Sequence, residues 1–263
     1  MKTKVYKSYA KVNIFLKIVG FEEGYHQIVS RFVRLENLYD TLWFEMGNGY
    51  DLDIVGDFSC AVEDNTIYKA YRALLKHHPK KEISEFCKGH KVVVYKNIPA
   101  FAGLGGGSSN AATFLLMINE RLNLNLTKQE LMQVGVDVGA DVAFFLSEYK
   151  SANVRGFGEI IEAFDEEVPE LTYYTPHIEC STPTIYRTFR RFFKKQMDKS
   201  AIMAESLTGL KSSEILKNYE MEELNDLYMP AVKVDPEILC EHKEGYFFSG
   251  SGSSFFALKE HHG

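Results

Sequence analysis

The stretch Pro99-Ala100-Phe101-Ala102-Gly103-Leu104-Gly105-Gly106-Gly107-Ser108-Ser109 constrains this chain most, because its glycines and hydroxyls run directly into Asn110-Ala111-Ala112 and a helical pattern. A short strand pattern at residues 91–95 precedes it, so the order is strand, glycine loop, helix. Residues without Cβ let the main chain approach an oxyanion closely. Successive N–H groups can then converge on it, and the helix macrodipole adds about half a positive charge at that end. The run therefore reads as an anion cradle, with the serines as further donors and as contacts for Mg2+. A flexible linker would have no reason to lead from a strand into an alanine-bearing helix or to keep Leu104 as an anchor. Other phosphate motifs fail on spacing. No lysine follows the glycines as G-x-x-x-x-G-K-[ST] requires, Ser108 stands at the third glycine of a G-x-G-x-x-G, and the protein-kinase signatures are absent.

Around this loop the chain patterns as mixed α and β. Alternation through Val5, Ala10, Val12, Ile14, Leu16 and Ile18 predicts one or two strands, followed by a loop over Gly20 to Gly24. Residues 41–46 and 50–55 flank Gly47-Asn48-Gly49, which predicts a tight hairpin. The spacing of Ile67, Ala70, Tyr71, Leu74 and Leu75 predicts a helix over 65–76, stopped by His77-His78-Pro79. Those adjacent histidines would face different sides of a helix, which argues against a metal there. A helix is expected over 108–122, and Thr127 with Glu130 has capping-box spacing for another. That helix closes at Gly135 to Gly139, and Gly139-Ala140-Asp141-Val142-Ala143-Phe144-Phe145 then sets a carboxylate among small residues. From about Val154 the pattern restarts, with strands near Ile160 and over 173–180, a helix over 186–197 and further helices to Leu227. It ends in the loop Ser249-Gly250-Ser251-Gly252, a strand over 253–258 and a charged tail to Gly263 that is expected to fray. Two domains are predicted, 1–153 and 154–263.

Bulk properties narrow the function classes. With 263 residues, 45% of them hydrophobic and 25% charged, the chain has material for one large domain or two ordinary ones. A net charge of -6 with mixed signs offers no broad electropositive surface, so nucleic acid is not an expected partner. No apolar run approaches the roughly 20 residues needed to span a bilayer, so no membrane partner is expected either. The start runs directly into a strand pattern without a targeting segment, which predicts a cytoplasmic location. Cys60, Cys87, Cys180 and Cys240 are far apart without C-x-x-C spacing and are expected to be reduced, mostly buried thiols. In that setting the Asn125-Leu126-Thr127 sequon is a chance match.

Three segments together resemble the GHMP kinases, the superfamily named for galactokinase, homoserine kinase, mevalonate kinase and phosphomevalonate kinase. They are Pro99 to Ala112, Ala10-Lys11-Val12-Asn13-Ile14-Phe15-Leu16 and Ser249-Gly250-Ser251-Gly252-Ser253. The similarity extends over nearly the whole chain. It implies an α+β, two-lobed GHMP kinase fold, with a ribosomal-protein-S5-like N-terminal lobe, a ferredoxin-like C-terminal lobe and the active site in the cleft between them. Glu23-Gly24-Tyr25-His26, the expanded Gly-Leu-Gly-Gly-Gly-Ser-Ser-Asn-Ala-Ala, Gly139-Ala140-Asp141-Val142 and Asn225-Asp226-Leu227 resemble the branch that acts on a cytidine diphosphate-linked polyol of the non-mevalonate isoprenoid pathway.

By that resemblance the cofactors are ATP and Mg2+, and the partner is a small-molecule cytidine diphosphate substrate. Lys11 and Asp141 are the implied catalytic pair, and the loop from Pro99 to Ser109 covers the ATP phosphates. Asn13 matches a substrate-contacting position. Tyr25, His26 and an aromatic residue are implied to hold the cytosine; here Pro183-Thr184-Ile185-Tyr186 places Tyr186 where the family has phenylalanine. From position alone Asp141 reads as an N-cap or surface carboxylate, Lys11 as a solvated strand lysine and His26 as a turn histidine. Only the resemblance reverses those readings. Phosphoryl transfer asks mainly for positioning and electrostatic stabilisation. A free aspartate with a pKa of about 3.9 is a weak base for an alcohol, so Asp141 would orient the hydroxyl or take its proton late. Rival expectations are another GHMP kinase acting on mevalonate, homoserine or a sugar, and a non-catalytic nucleotide sensor on the same fold.

Overall fold

The computed structural model describes residues 3–22 and 24–259. Glu23 of the Glu-Gly-Tyr-His segment and residues 260–263 of the expected frayed tail lie outside the described residues. The fold is α+β, as expected, and divides into two compact units that interleave along the chain. One takes the described residues of Met1–Ala10, Glu36–Ala100 and Gly105–Glu148; the other takes those of Lys11–Leu35, Phe101–Leu104 and Tyr149–Gly263. Two long strands, β1 (Tyr6–Glu22) and β2 (Tyr25–Met46), contribute to both.

In the first unit, β4 (His90–Tyr95) lies between the last third of β2 and the short β3 (Asp53–Val55). It is antiparallel to β2, with Thr41 opposite Tyr95 and Met46 opposite His90, and parallel to β3, with Asp53 opposite Lys91. The expected hairpin across Gly47-Asn48-Gly49 is therefore corrected. β4 separates its two arms, and Gly47 donates its N–H to Gly89 O at 2.9 Å. Glycine and asparagine permitted a tight turn, but β4, buried at Val92 and Val94, supplied a better cross-strand partner than the arm 50–55, where Leu52 alone is buried.

Helices α1 (Thr66–His77), α2 (Lys81–Gly89), α3 (Gly106–Arg121), α4 (Lys128–Val136) and α5 (Val142–Ser147) complete this unit. α1 packs on α3 and α3 on α5, burying Ile67, Leu74, Phe114, Leu115, Ile118 and Leu146. Asn65 caps α1 by accepting the Ile67 N–H, and the Thr127–Glu130 capping box on α4 is complete in both directions. α2 was not visible as a pattern, because Ile83 and Cys87 are its only buried residues.

In the second unit, residues 28–33 of β2 pair antiparallel with β5 (Ser151–Gly156), which pairs in turn with β6 (Ile160–Ala163). A separate antiparallel sheet has the order β7 (Leu171–Tyr174), β9 (Phe255–Leu258), β8 (Phe247–Phe248). The strand expected over 173–180 thus ends at Tyr174. α6 (Thr182–Phe192) starts four residues before the expected 186, because Pro183 suits its first turn. α7 (Met197–Thr208), α8 (Ser212–Asn218), α9 (Met221–Leu224), α10 (Tyr228–Val234) and α11 (Glu237–Glu241) follow.

A fully buried Arg31 braces this unit. It donates to Asn153 Oδ1 and Thr208 O, each at 2.8 Å, lies 3.6 Å from Glu166 and stacks over the Phe164 ring at 3.4 Å. Burial lowers its pKa to about 10, partly offset by Glu166, so it stays charged at neutral pH.

Among the described residues all four cysteines are unpaired. Cys87 and Cys180 are buried, with burial pushing their thiols up to about 12 and about 11. Cys60 and Cys240 are exposed, so the expectation of mostly buried thiols holds for half of them. No helix among the described residues is long and apolar enough to cross a membrane.

Candidate active site

The glycine loop leads into α3, which begins at Gly106, two residues before the expected Ser108. Its N-cap is Gly105, in the left-handed region at φ 71°, with no side-chain capping bond. That choice matters chemically. The first-turn N–H groups of any helix lack intrahelical acceptors, and a serine or aspartate cap would normally take one of them. Here no cap side chain competes, so the first-turn amides ahead of Ser109, whose own N–H bonds Gly105 O at 2.9 Å, are left for an external anion. Thr66 holds the turn by donating to Gly107 O at 2.6 Å, and Ser109, buried, accepts from Ser8 Oγ at 2.7 Å. Ser108 is half-buried, and a Cβ built on Gly139 would lie 3.8 Å from its Oγ. The first unit thus brings the Gly139-Ala140-Asp141 turn beside the loop's last residues. Asp141 occupies the N-cap position of α5 but makes no capping bond, so the helix-capping explanation for it fails.

In the second unit, Lys11 is 3% exposed, which overturns its reading as a solvated strand lysine. β1 is covered on both faces from Lys11 to Ile18, so its polar positions are enclosed as completely as its apolar ones. The Lys11 ammonium donates to Asn13 Oδ1 at 2.7 Å and to Gly103 O at 3.0 Å. Asn13 gives its amide N–H to Ser30 Oγ at 3.0 Å, which turns its oxygen toward the lysine. Ser30 in turn bonds Phe15 O. The main chain repeats the tie, with Lys11 N–H donating to Leu104 O at 3.0 Å.

Gly103 is also gripped by the C-terminal glycine motif. It sits at φ 71°, and a Cβ on it would stand 2.1 Å from Ser249 O. Ser249 Oγ donates to Gly103 O at 3.1 Å, and Ser254 N–H donates to Ala102 O at 3.1 Å. Asn225 holds the motif from behind by donating to Phe248 O at 2.8 Å and Gly250 O at 3.0 Å. Residues 101–104, Lys11, Asn13 and the motif 249–252 therefore form one hydrogen-bonded assembly. Sequence reasoning found its pieces but missed Ser30, which offers no signal beyond its place on a strand.

The aromatic residues expected around a base also lie in the second unit. His26 packs against Tyr186 at 4.9 Å between ring centroids, and against Phe21 at 5.0 Å and Phe189 at 6.0 Å. Its Nε2 is buried without a hydrogen-bond partner among the described residues. Burial first, and Arg190 second, lower its pKa, so its neutral form persists below the usual histidine range. Tyr25 is 69% exposed and meets Phe157 edge to face at 5.9 Å. Phe157 was not singled out from the sequence, since it sits in an unremarkable turn. Pro99, Ala100, Phe101 and Gly107 are at least partly open, whereas Ala102 and Leu104 are buried anchors.

The described residues contain no group of three or more His, Cys, Asp or Glu arranged to hold a metal ion. Mg2+ seldom needs such a cage, because it keeps its waters and takes substrate phosphates with one or two carboxylates.

Comparison with known proteins bears on this geometry. Residues 65–149 match the GHMP kinases N terminal domain. The chain is 48% identical over 264 residues to 4-diphosphocytidyl-2-C-methyl-D-erythritol kinase of Sulfurimonas denitrificans, covering 99% of this chain and 98% of that one. It is 39% identical over 272 residues to the protein of that name from Helicobacter pylori, covering 98% and 95%. A crystal structure of 4-(cytidine 5'-diphospho)-2C-methyl-D-erythritol kinase matches with a TM-score of 0.71 at 27% identity, over 98% of this chain and 90% of that one. Methanococcus jannaschii mevalonate kinase, at 12% identity and a TM-score of 0.63, shares the fold.

Proposed function

The chain belongs to the 4-diphosphocytidyl-2-C-methyl-D-erythritol kinases of the GHMP superfamily, and on that premise we propose how its own residues carry out the reaction. The protein is a small-molecule kinase that moves the γ-phosphoryl group of ATP to the 2-hydroxyl of 4-diphosphocytidyl-2-C-methyl-D-erythritol, giving the 2-phosphate and ADP. The observation that carries the site assignment is the buried Lys11 ammonium, fixed to Asn13 and to the Gly103 carbonyl of the glycine loop. A cation held there without solvent keeps its full effect on charge developing nearby and needs no reorganisation when the reaction occurs.

In this mechanism the first-turn amides of α3 and the Ser108 hydroxyl hold the triphosphate. Asn13 orients the acceptor and Lys11 beside it. Asp141 aligns the 2-hydroxyl for in-line attack and accepts its proton late, once the oxygen–phosphorus bond is well formed. Ser108 and Asp141 have the donor chemistry to hold a nucleotide-bound Mg2+, which would neutralise phosphate charge. Tyr25 and Tyr186 offer faces for the cytosine. The unpartnered Nε2 of His26, kept neutral by burial, supplies a polar atom for the base edge. Within this proposal the ATP-binding part of the chain ends near residue 153, although Lys11–Leu35 and Phe101–Leu104 group with the part that follows, and the enzyme works in the cytoplasm.

Incubation with ATP and a panel of alcohols (the cytidine diphosphate methylerythritol, mevalonate, homoserine and galactose) tests the assignment by product mass. Phosphate is expected on the cytidine substrate alone. Transfer to mevalonate or homoserine at equal efficiency would give the site to the rival kinases, and transfer to none would favour a nucleotide sensor. For the base-binding residues, Tyr25→Ala is expected to raise KM for the cytidine substrate about tenfold, since base–aromatic stacking is worth about 1–3 kcal/mol. KM for ATP should stay within about twofold. A parallel rise in both would remove Tyr25 from base recognition.

A further inference from the structure

Asp40 takes no part in the chemistry above, yet its place on β2 gives it command of the glycine loop. Its carboxylate has no exposed surface. A charge so enclosed is tolerated when its lone pairs are all met, and the partners of Asp40 are unusual in where they lie. Oδ1 accepts the N–H groups of Asn97 at 2.7 Å and Ile98 at 2.8 Å, the two residues that lead into Pro99. Oδ2 accepts the side-chain Nδ2–H of Asn110, the residue directly after Ser109, at 2.8 Å and pairs with Lys96. Lys96 reaches Asn110 Oδ1 at 3.0 Å. Asn110 also donates to Ser8 Oγ at 2.9 Å, and Ser8 donates to Ser109 Oγ. One carboxylate thus binds the chain entering the loop with one oxygen and the chain leaving it with the other.

We infer that Asp40 is a positioning residue for ATP, closing the segment 99–109 at both ends so that the first-turn amides of α3 keep their aim at the phosphates. It touches neither substrate. The inference rests on the assignment of that loop to the triphosphate. Closing a flexible loop costs entropy, and a loop closed before the ligand arrives spares binding that cost.

Asp40→Asn is the diagnostic change, because an amide has one acceptor oxygen and one donor NH2. Whichever way it turns, its oxygen can serve the entry amides or the Lys96 and Asn110 donors, while its NH2 faces the other set. KM for ATP is expected to rise at least tenfold, with KM for the cytidine substrate within twofold of wild type. Amide exchange at 99–109 should quicken about tenfold while α4 is unchanged. Asn110→Ala keeps the Asp40–Lys96 pair and both entry bonds, and removes the exit bond to Asp40 together with the Asn110 bonds to Lys96 and Ser8. It should raise KM for ATP roughly threefold to tenfold, and it carries the test if Asp40→Asn does not fold. Unchanged KM for ATP in Asn110→Ala, or KM for both substrates rising together, would overturn the positioning role. Exchange in the wild-type protein with and without ATP separates the two claims. Protection of 103–109 by ATP together with normal ATP binding by the variants refutes the role of Asp40 alone. Absence of that protection refutes the loop assignment and this inference with it.

Discussion

Replacing Asp141 by asparagine is expected to lower kcat by about 10²–10⁴-fold, the range in which positioned acid–base groups contribute, or about 3–5 kcal/mol of transition-state stabilisation. KM for ATP should change little. The substitution keeps shape and removes only charge and basicity. Because Asp141 makes no capping bond at the start of α5, the change has no helix cap to remove. The flanking Val142 and Ala143 are buried and would hold the turn in place. Single-turnover measurement with saturating ATP and cytidine substrate, alongside thermal unfolding, reads the effect directly. A variant with wild-type melting temperature and near-normal turnover would take Asp141 out of the mechanism. A fall in Tm matching the fall in activity would make it structural.

Gly103→Ala should damage both stability and turnover. Gly103 sits at φ 71°, where an L-residue with a Cβ is strained by about 1–2 kcal/mol. The added methyl would also stand 2.1 Å from Ser249 O and 3.0 Å from Gly252 N. Both neighbours are main-chain atoms, so no side chain can rotate aside. Either the loop or the 249–252 motif must shift, and the Gly103 carbonyl that receives Lys11 and Ser249 moves with it. A misplacement of about 1 Å at a reacting centre can cost about 10²-fold, so kcat/KM is expected to drop by about that factor. Overpacking and backbone strain together predict a loss of about 2–4 kcal/mol in stability. Gly209→Ala is the control, since a Cβ there meets nothing within 4 Å. Equal behaviour of the two variants in unfolding and in activity assays would show that the close packing of Gly103 is not required.

Some of the site was legible because its causes are local. The Thr127–Glu130 box caps its helix through bonds spanning three residues, and the spacing of those two side chains announces it. The glycine loop announced itself in the same way, since glycines ahead of a helix have few other uses. The hairpin at 47–49 failed for the complementary reason. Turn chemistry permits a hairpin, but β4, some forty residues on, decided the pairing. Lys11 was misjudged by position alone because period-2 alternation says which residues share a face and not whether that face meets solvent.

The amino-acid order by itself determined the α+β class, the anion-binding turn and, through its motifs, the kinase family, because each is written in contacts between near neighbours or in residue types with few alternatives. Only the tertiary structure decided that Lys11 is enclosed and tied to Gly103, that the C-terminal glycines press on that same residue, and that Asp40 grips both ends of the loop. These depend on burial and on partners tens to hundreds of positions apart. A carboxylate or ammonium acquires its role from what the fold removes around it, namely water, and no run of adjacent residues records that loss.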